Sequence, residues 1–198
     1  MCCRMSSEHN QLSSNVLRRL SSEETEGTVN RVLSKLEESG RNLDITAVLA
    51  NWGPGFRPFV MMSDALLFRG VLTPVDREVA VLLTAHLHQL AYEWKEHLVM
   101  AREAGVTDDQ IAAIAENRWR TAPEAVFTAS QRMVLEVIET LVADRRLTPE
   151  LWGRTCDRLG PDAALELLMA YGWWGGFVRV VIESVLPLSD TPSSSTPG

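Results

Sequence analysis

Helix starts are written into this chain repeatedly. Ser21 is followed by Glu24, Thr107 by Gln110 and Thr128 by Gln131. At that spacing, the capping hydroxyl takes the backbone N–H three residues on, and the carboxylate or amide there reaches back to the cap's own N–H. Thr73-Pro74 and Thr148-Pro149 offer a capping hydroxyl followed by proline at the first helical position, where a missing N–H leaves nothing unsatisfied. No segment between these signals alternates apolar and polar residues at period two. The expected fold is therefore all-α, with helices joined by short connections.

The apolar spacing fills in the helices. One is expected from Ser21 through Val29, Val32, Leu33 and Leu36 to a stop at Gly40. A short one covers Leu43 to Leu49, and Asn51-Trp52-Gly53-Pro54-Gly55 breaks the chain before a helix over Phe56–Phe68. The stretch from Thr73 to Ile114 reads as two helices joined by a tight bend near Leu90, the second ending at Gly105, followed by a capped short helix. Further helices open at Thr128 and Thr148, and a long final one runs from Pro161 to just before Pro187. Residues 1–20 are expected to be a flexible tail, 21–187 a single helical domain, and the Ser/Thr/Pro-rich residues 188–198 a disordered tail. A chain of 198 residues is long enough for one substantial core.

Charge and cysteine usage remove several function classes. A net charge of −7 with scattered basic residues argues against a nucleic-acid partner, which needs clustered Lys and Arg to neutralise phosphates. The N-terminus lacks the apolar core of a secretory signal, and no run is expected to approach the roughly 18 apolar residues of a membrane span. The expected location is cytoplasmic, without a membrane partner. Cys2, Cys3 and Cys156 form neither a disulfide framework nor a Cys-x-x-Cys motif.

The chemistry available lies between Thr73 and Ile114. Glu93 and His97 are four residues apart, so on a helix they share a face. Glu78 lies on the preceding helix, at the end that His97 approaches if the two helices form an antiparallel hairpin. A carboxylate beside an imidazole in an apolar wall suits proton transfer, because burial and mutual charge move their proton affinities. Spacing alone equally allows Glu93 and His97 to be an ordinary helix-surface pair. His86-x-His88 suggests a metal, but side chains two apart on a helix diverge, and no metal site is expected. The cluster Tyr171-Gly172-Trp173-Trp174-Gly175-Gly176-Phe177 puts glycines inside a helix. Close helix approach explains that, with the aromatics as core, pocket wall or subunit interface.

At Asp76-Arg77-Glu78, Ala91-Tyr92-Glu93-Trp94-Lys95-Glu96-His97 and Ala101-x-x-x-Gly105-Val106-Thr107, the sequence resembles the carboxymuconolactone decarboxylase family. That family shares its fold with alkylhydroperoxidase D. The resemblance extends from about Asn42 through Pro187. It implies an all-α fold, a homo-oligomer (trimer or hexamer), a small-molecule substrate and chemistry without an organic cofactor. In the peroxidase branch, a Cys-x-x-Cys pair sits between the matching glutamate and histidine. Here those positions are Leu90 and Glu93, so a thiol peroxidase, which needs a thiolate and a resolving thiol, is excluded. What the resemblance then implies is a lyase acting on a small carboxylated lactone or keto acid, with Glu78, Glu93 and His97 as a proton relay. Tyr92 and Trp94 would line the pocket, and Arg77 would hold a substrate carboxylate or pair with Glu78. A dehydratase, isomerase or cyclase on the same fold, and a non-catalytic helical oligomer or small-molecule binder, are the alternatives.

Overall fold

A computed structural model describes residues 17–41 and 43–185. Of the tails expected at residues 1–20 and 188–198, residues 1–16 and 188–198 lie outside the described residues, while Leu20 N–H donates to Ala47 O at 3.0 Å. Among those described, every regular element is helical, as expected of an all-α chain. Contacts divide the chain into two compact units, one made of the residues up to Ser63 and from Val181 onward, the other of Asp64–Val180.

The first unit corrects two expectations. The Ser21–Glu24 pair caps only a single turn of 3-10 helix, Ser22–Glu24, and α1 spans Gly27–Glu38. Thr25 is extended, as is Glu26. The turn's leftover groups are satisfied from α1 instead of by continuing the helix. Asn30 Nδ2 donates to the Ser22 carbonyl at 2.8 Å, and Glu37 accepts from the Ser22 N–H at 2.9 Å. After α2 (Asp44–Leu49), α3 covers Gly53–Phe68. It therefore opens at the Gly-Pro-Gly expected to interrupt the chain, because a proline in the first helical turn loses no N–H that the helix needs.

In the second unit α4 (Pro74–Leu87) is the central element, capped by Thr73, whose hydroxyl accepts from the Asp76 N–H. Every residue from Glu78 to Ala85 is buried. Around it pack α5 (Ala91–Ala104), α6 (Asp108–Ala115), α7 (Ala129–Asp144) and α9 (Pro161–Tyr171), while α8 (Pro149–Leu159) packs on α7 and α9. Leu82, Leu83, Ile114, Leu135, Ile138 and Leu167 are fully buried in this core. Ahead of α4, the Glu166 carboxylate of α9 accepts from the Val71 N–H, and from the Leu72 N–H at 3.3 Å. A Cβ at residue 70 would displace that carboxylate.

The bend between α4 and α5 closes without glycine. Gln89 takes φ 59°, the Gln89 N–H donates to His86 O, and the Leu90 N–H reaches back to Ala85 O at 2.8 Å. These are the paired bonds that end a helix through one left-handed residue. Gly105 ends α5 in the same way, with φ 98° and Val106 N–H donating to Ala101 O.

Two of the capping boxes are joined. Gln110 accepts from the Thr107 N–H at 3.0 Å, and its Nε2 donates to Val126 O at 2.8 Å and to Gln131 Oε1 at 3.1 Å. That same Gln131 oxygen accepts from the Thr128 N–H at 2.8 Å. Both glutamines are buried. Gln110→Leu is expected to lower unfolding stability by about 1–3 kcal/mol, because it leaves buried amide groups without partners. Urea denaturation checks this, and a loss below about 0.5 kcal/mol would show the network to be dispensable.

Past Tyr171 the helix continues through a π-helical segment, Gly172–Val178, into α10 (Arg179–Val185). Pro161–Val185 is thus one helical run of 25 residues, long and apolar enough to cross a membrane by length and composition. The expectation that no run nears that length is corrected.

Candidate active site

Two helices bring the ionisable groups together. Glu78 stands in the second turn of α4, at the start of its buried stretch Glu78–Ala85, and is 0% exposed. Glu93 is in the first turn of α5, where the helix's positive end favours a carboxylate. His97 follows one turn later on the same face, and both it and Glu93 are buried.

The imidazole bridges the two carboxylates. His97 Nδ1 lies 2.8 Å from Glu78 Oε2, and Nε2 lies 3.2 Å from Glu93 Oε2. Arg77 Nε donates to the other oxygen of Glu78 at 2.9 Å. The result is a buried chain, Arg77–Glu78–His97–Glu93. Burial of the ring works against its charge, but hydrogen bonds and Coulomb attraction from Glu78 and Glu93 outweigh that, and the His97 pKa is pushed up to about 9. With its pKa raised, the ring at neutral pH is an imidazolium donating one N–H to each of Glu78 and Glu93. Such charge-assisted bonds are the strong class of hydrogen bond, and they are stronger away from water.

Three of the residues expected at the site thus converge: Glu78, Glu93 and His97. Arg77 is turned to Glu78, with its side chain only 11% exposed. Trp94 is turned toward the core and toward His86, whose ring lies edge-on at 6.3 Å. Tyr92 is half-buried at the second position of α5. His86 and His88 diverge, His88 facing the Tyr171 ring at 6.2 Å.

One neighbour was not assigned to this site from the sequence. The Trp174 indole stands edge-to-face against the His97 imidazole, with centroids 5.4 Å apart and planes at 83°. Glycines beside aromatics inside a helix were the available signal, but they do not say which aromatic turns inward.

Residues 55–137 match the carboxymuconolactone decarboxylase family, a span that holds Arg77, Glu78, Glu93 and His97. No curated protein matches the chain.

Proposed function

Taking residues 55–137 as a member of the carboxymuconolactone decarboxylase family, we propose that this protein is a lyase that needs no organic cofactor and removes CO₂ from a small carboxylated lactone or keto acid. The observation that carries the reading is the unbroken hydrogen-bonded chain Glu78–His97–Glu93, withdrawn from solvent between two packed helices. A surface ion pair would not need burial, a second carboxylate and a charge-balancing arginine.

Decarboxylation breaks the bond between the carboxylate carbon and its neighbour. The electron pair stays on the substrate as an enolate, CO₂ leaves, and a proton must then reach the carbon. Glu93 is the end of the chain suited to deliver it. It receives the Nε2 proton of His97, while Glu78 holds the remaining Nδ1–H and so fixes the tautomer of the neutral ring. Transfer to the substrate carbon completes the product, and one proton from solvent restores the imidazolium. Arg77 holds the other oxygen of Glu78 in place. On the same reading the chain assembles as a homo-oligomer, a trimer or hexamer.

CO₂ release from a panel of carboxylated lactones and β-keto acids tests the reading, with His97→Asn and Glu93→Gln assayed beside the unaltered protein. Each variant is expected to lose about 10²–10⁴-fold in turnover, the usual worth of a positioned acid or base. Equal turnover by His97→Asn would remove the ring from the mechanism.

A further inference from the structure

We propose that Trp174, carried on the π-helical segment, is a positioning residue that holds the His97 ring in the plane where it bridges Glu78 and Glu93. The two carboxylates fix where the ring nitrogens point, but two bonds at opposite edges leave the ring free to tilt about the line between them. The indole meets it from a third direction, 5.4 Å away and nearly perpendicular, and is itself 5% exposed.

The backbone is built to put it there. A helix that makes one turn with an extra residue rotates everything downstream by about 100° relative to an unbroken α-helix. Such a turn weakens the hydrogen-bond ladder, so its presence at Gly172–Val178 calls for a return. Of the three glycines in the segment, Gly175 alone has a neighbour within 4 Å of an added Cβ. That Cβ would lie 3.0 Å from Thr84 Cγ2 on α4 and 2.9 Å from the Tyr171 ring. Thr84 is buried and held by its own bond to Ala80 O. The close approach to α4 is therefore made at the residue next to Trp174, and it sets how far the indole reaches.

The charged groups around His97 are Glu78 with Arg77 from α4 and Glu93 from α5, and the π segment contributes the uncharged indole. Trp174 thus bears on the ring without competing for its N–H groups.

The consequence for turnover rests on the relay reading above; the consequence for the ring does not, and the two are read separately. Full-length protein with isotope-labelled histidine and tryptophan is titrated from pH 6 to 11 by NMR. In the unaltered protein, the Trp174 indole N–H signal is expected to move with the same midpoint as the His97 ring. An indole signal blind to that midpoint overturns the proposal without any variant. In Trp174→Leu the His97 midpoint is expected to fall by about one pH unit, as a tilted ring loses part of its contact with the two carboxylates, and Trp174→Phe should recover most of that shift. Gly175→Ala, which leaves the indole intact, should shift it in the same direction as Trp174→Leu. An unchanged midpoint in folded Trp174→Leu or Gly175→Ala overturns the proposal. With a substrate in hand, Trp174→Leu should lower kcat about tenfold at unchanged KM. Altered ring titration with no turnover of any acid by the unaltered protein would instead defeat the decarboxylase reading alone.

Discussion

Glu78→Ala is expected to lower unfolding stability by about 3–5 kcal/mol at pH 6, the range for deleting one partner of a buried charge pair. The residue is 0% exposed and serves two cations at once, Arg77 at 2.9 Å and His97 at 2.8 Å. Without it, an imidazolium keeps only Glu93, and Arg77 loses the carboxylate it is folded against. The folded variant has one escape, which is to give up the His97 proton. The loss should therefore be smaller above pH 9, where the ring is neutral in both proteins and only the Arg77 bond and a bond to a neutral ring N–H differ. Glu78→Gln retains the shape but not the charge and should fall between. Urea titrations at pH 6 and 9.5 decide this. A loss under about 1 kcal/mol at pH 6, or equal losses at the two pH values, would mean that Glu78 and His97 do not share a proton.

The second large effect is the pH dependence of the unaltered fold. His97 has an ordinary pKa of 6.5 when unfolded and about 9 when folded. Below pH 6.5 both states carry the proton, and the stabilisation from the bridged ring is fully present. Between 6.5 and 9 only the folded state holds it, so unfolding releases a proton and stability falls by about 1.4 kcal/mol per pH unit. Above 9 the contribution is gone, for a total of roughly 3 kcal/mol. Urea midpoints at pH 6, 7.5 and 9.5 should trace this decline in the unaltered protein and be nearly flat in His97→Gln. Parallel pH profiles for the two proteins would assign the decline to other groups.

Local signals were readable in the sequence where local chemistry decides the structure. Thr73, Thr107, Thr128 and Thr148 all cap the helices expected of them, because a cap is a contact between residues three apart. The Glu93–His97 pair was legible for the same reason, as one helix face. Ser21–Glu24 shows the limit. The cap forms, but whether a helix continues beyond it was decided by Asn30 and Glu37, which bind the turn from the next element. Glu78 was placed near His97 by assuming an antiparallel hairpin, while the hydrogen bond itself depends on the Gln89 turn. Trp174 was beyond reach: a π-helical turn changes the phase of a helix without altering its hydrophobic period enough to be noticed, so the inward aromatic could not be named.

The shared glutamine pair has a consequence for how the molecule opens. Helix ends ordinarily fray one at a time, each at its own small free energy. Here the first turns of α6 and α7 close on the same two side-chain amides, Gln110 and Gln131, so loosening one start strips partners from the other. Those two helix starts, 21 residues apart along the chain by the spacing of their caps Thr107 and Thr128, form one unit of local unfolding. Hydrogen exchange would see their amides protected, and lost, together.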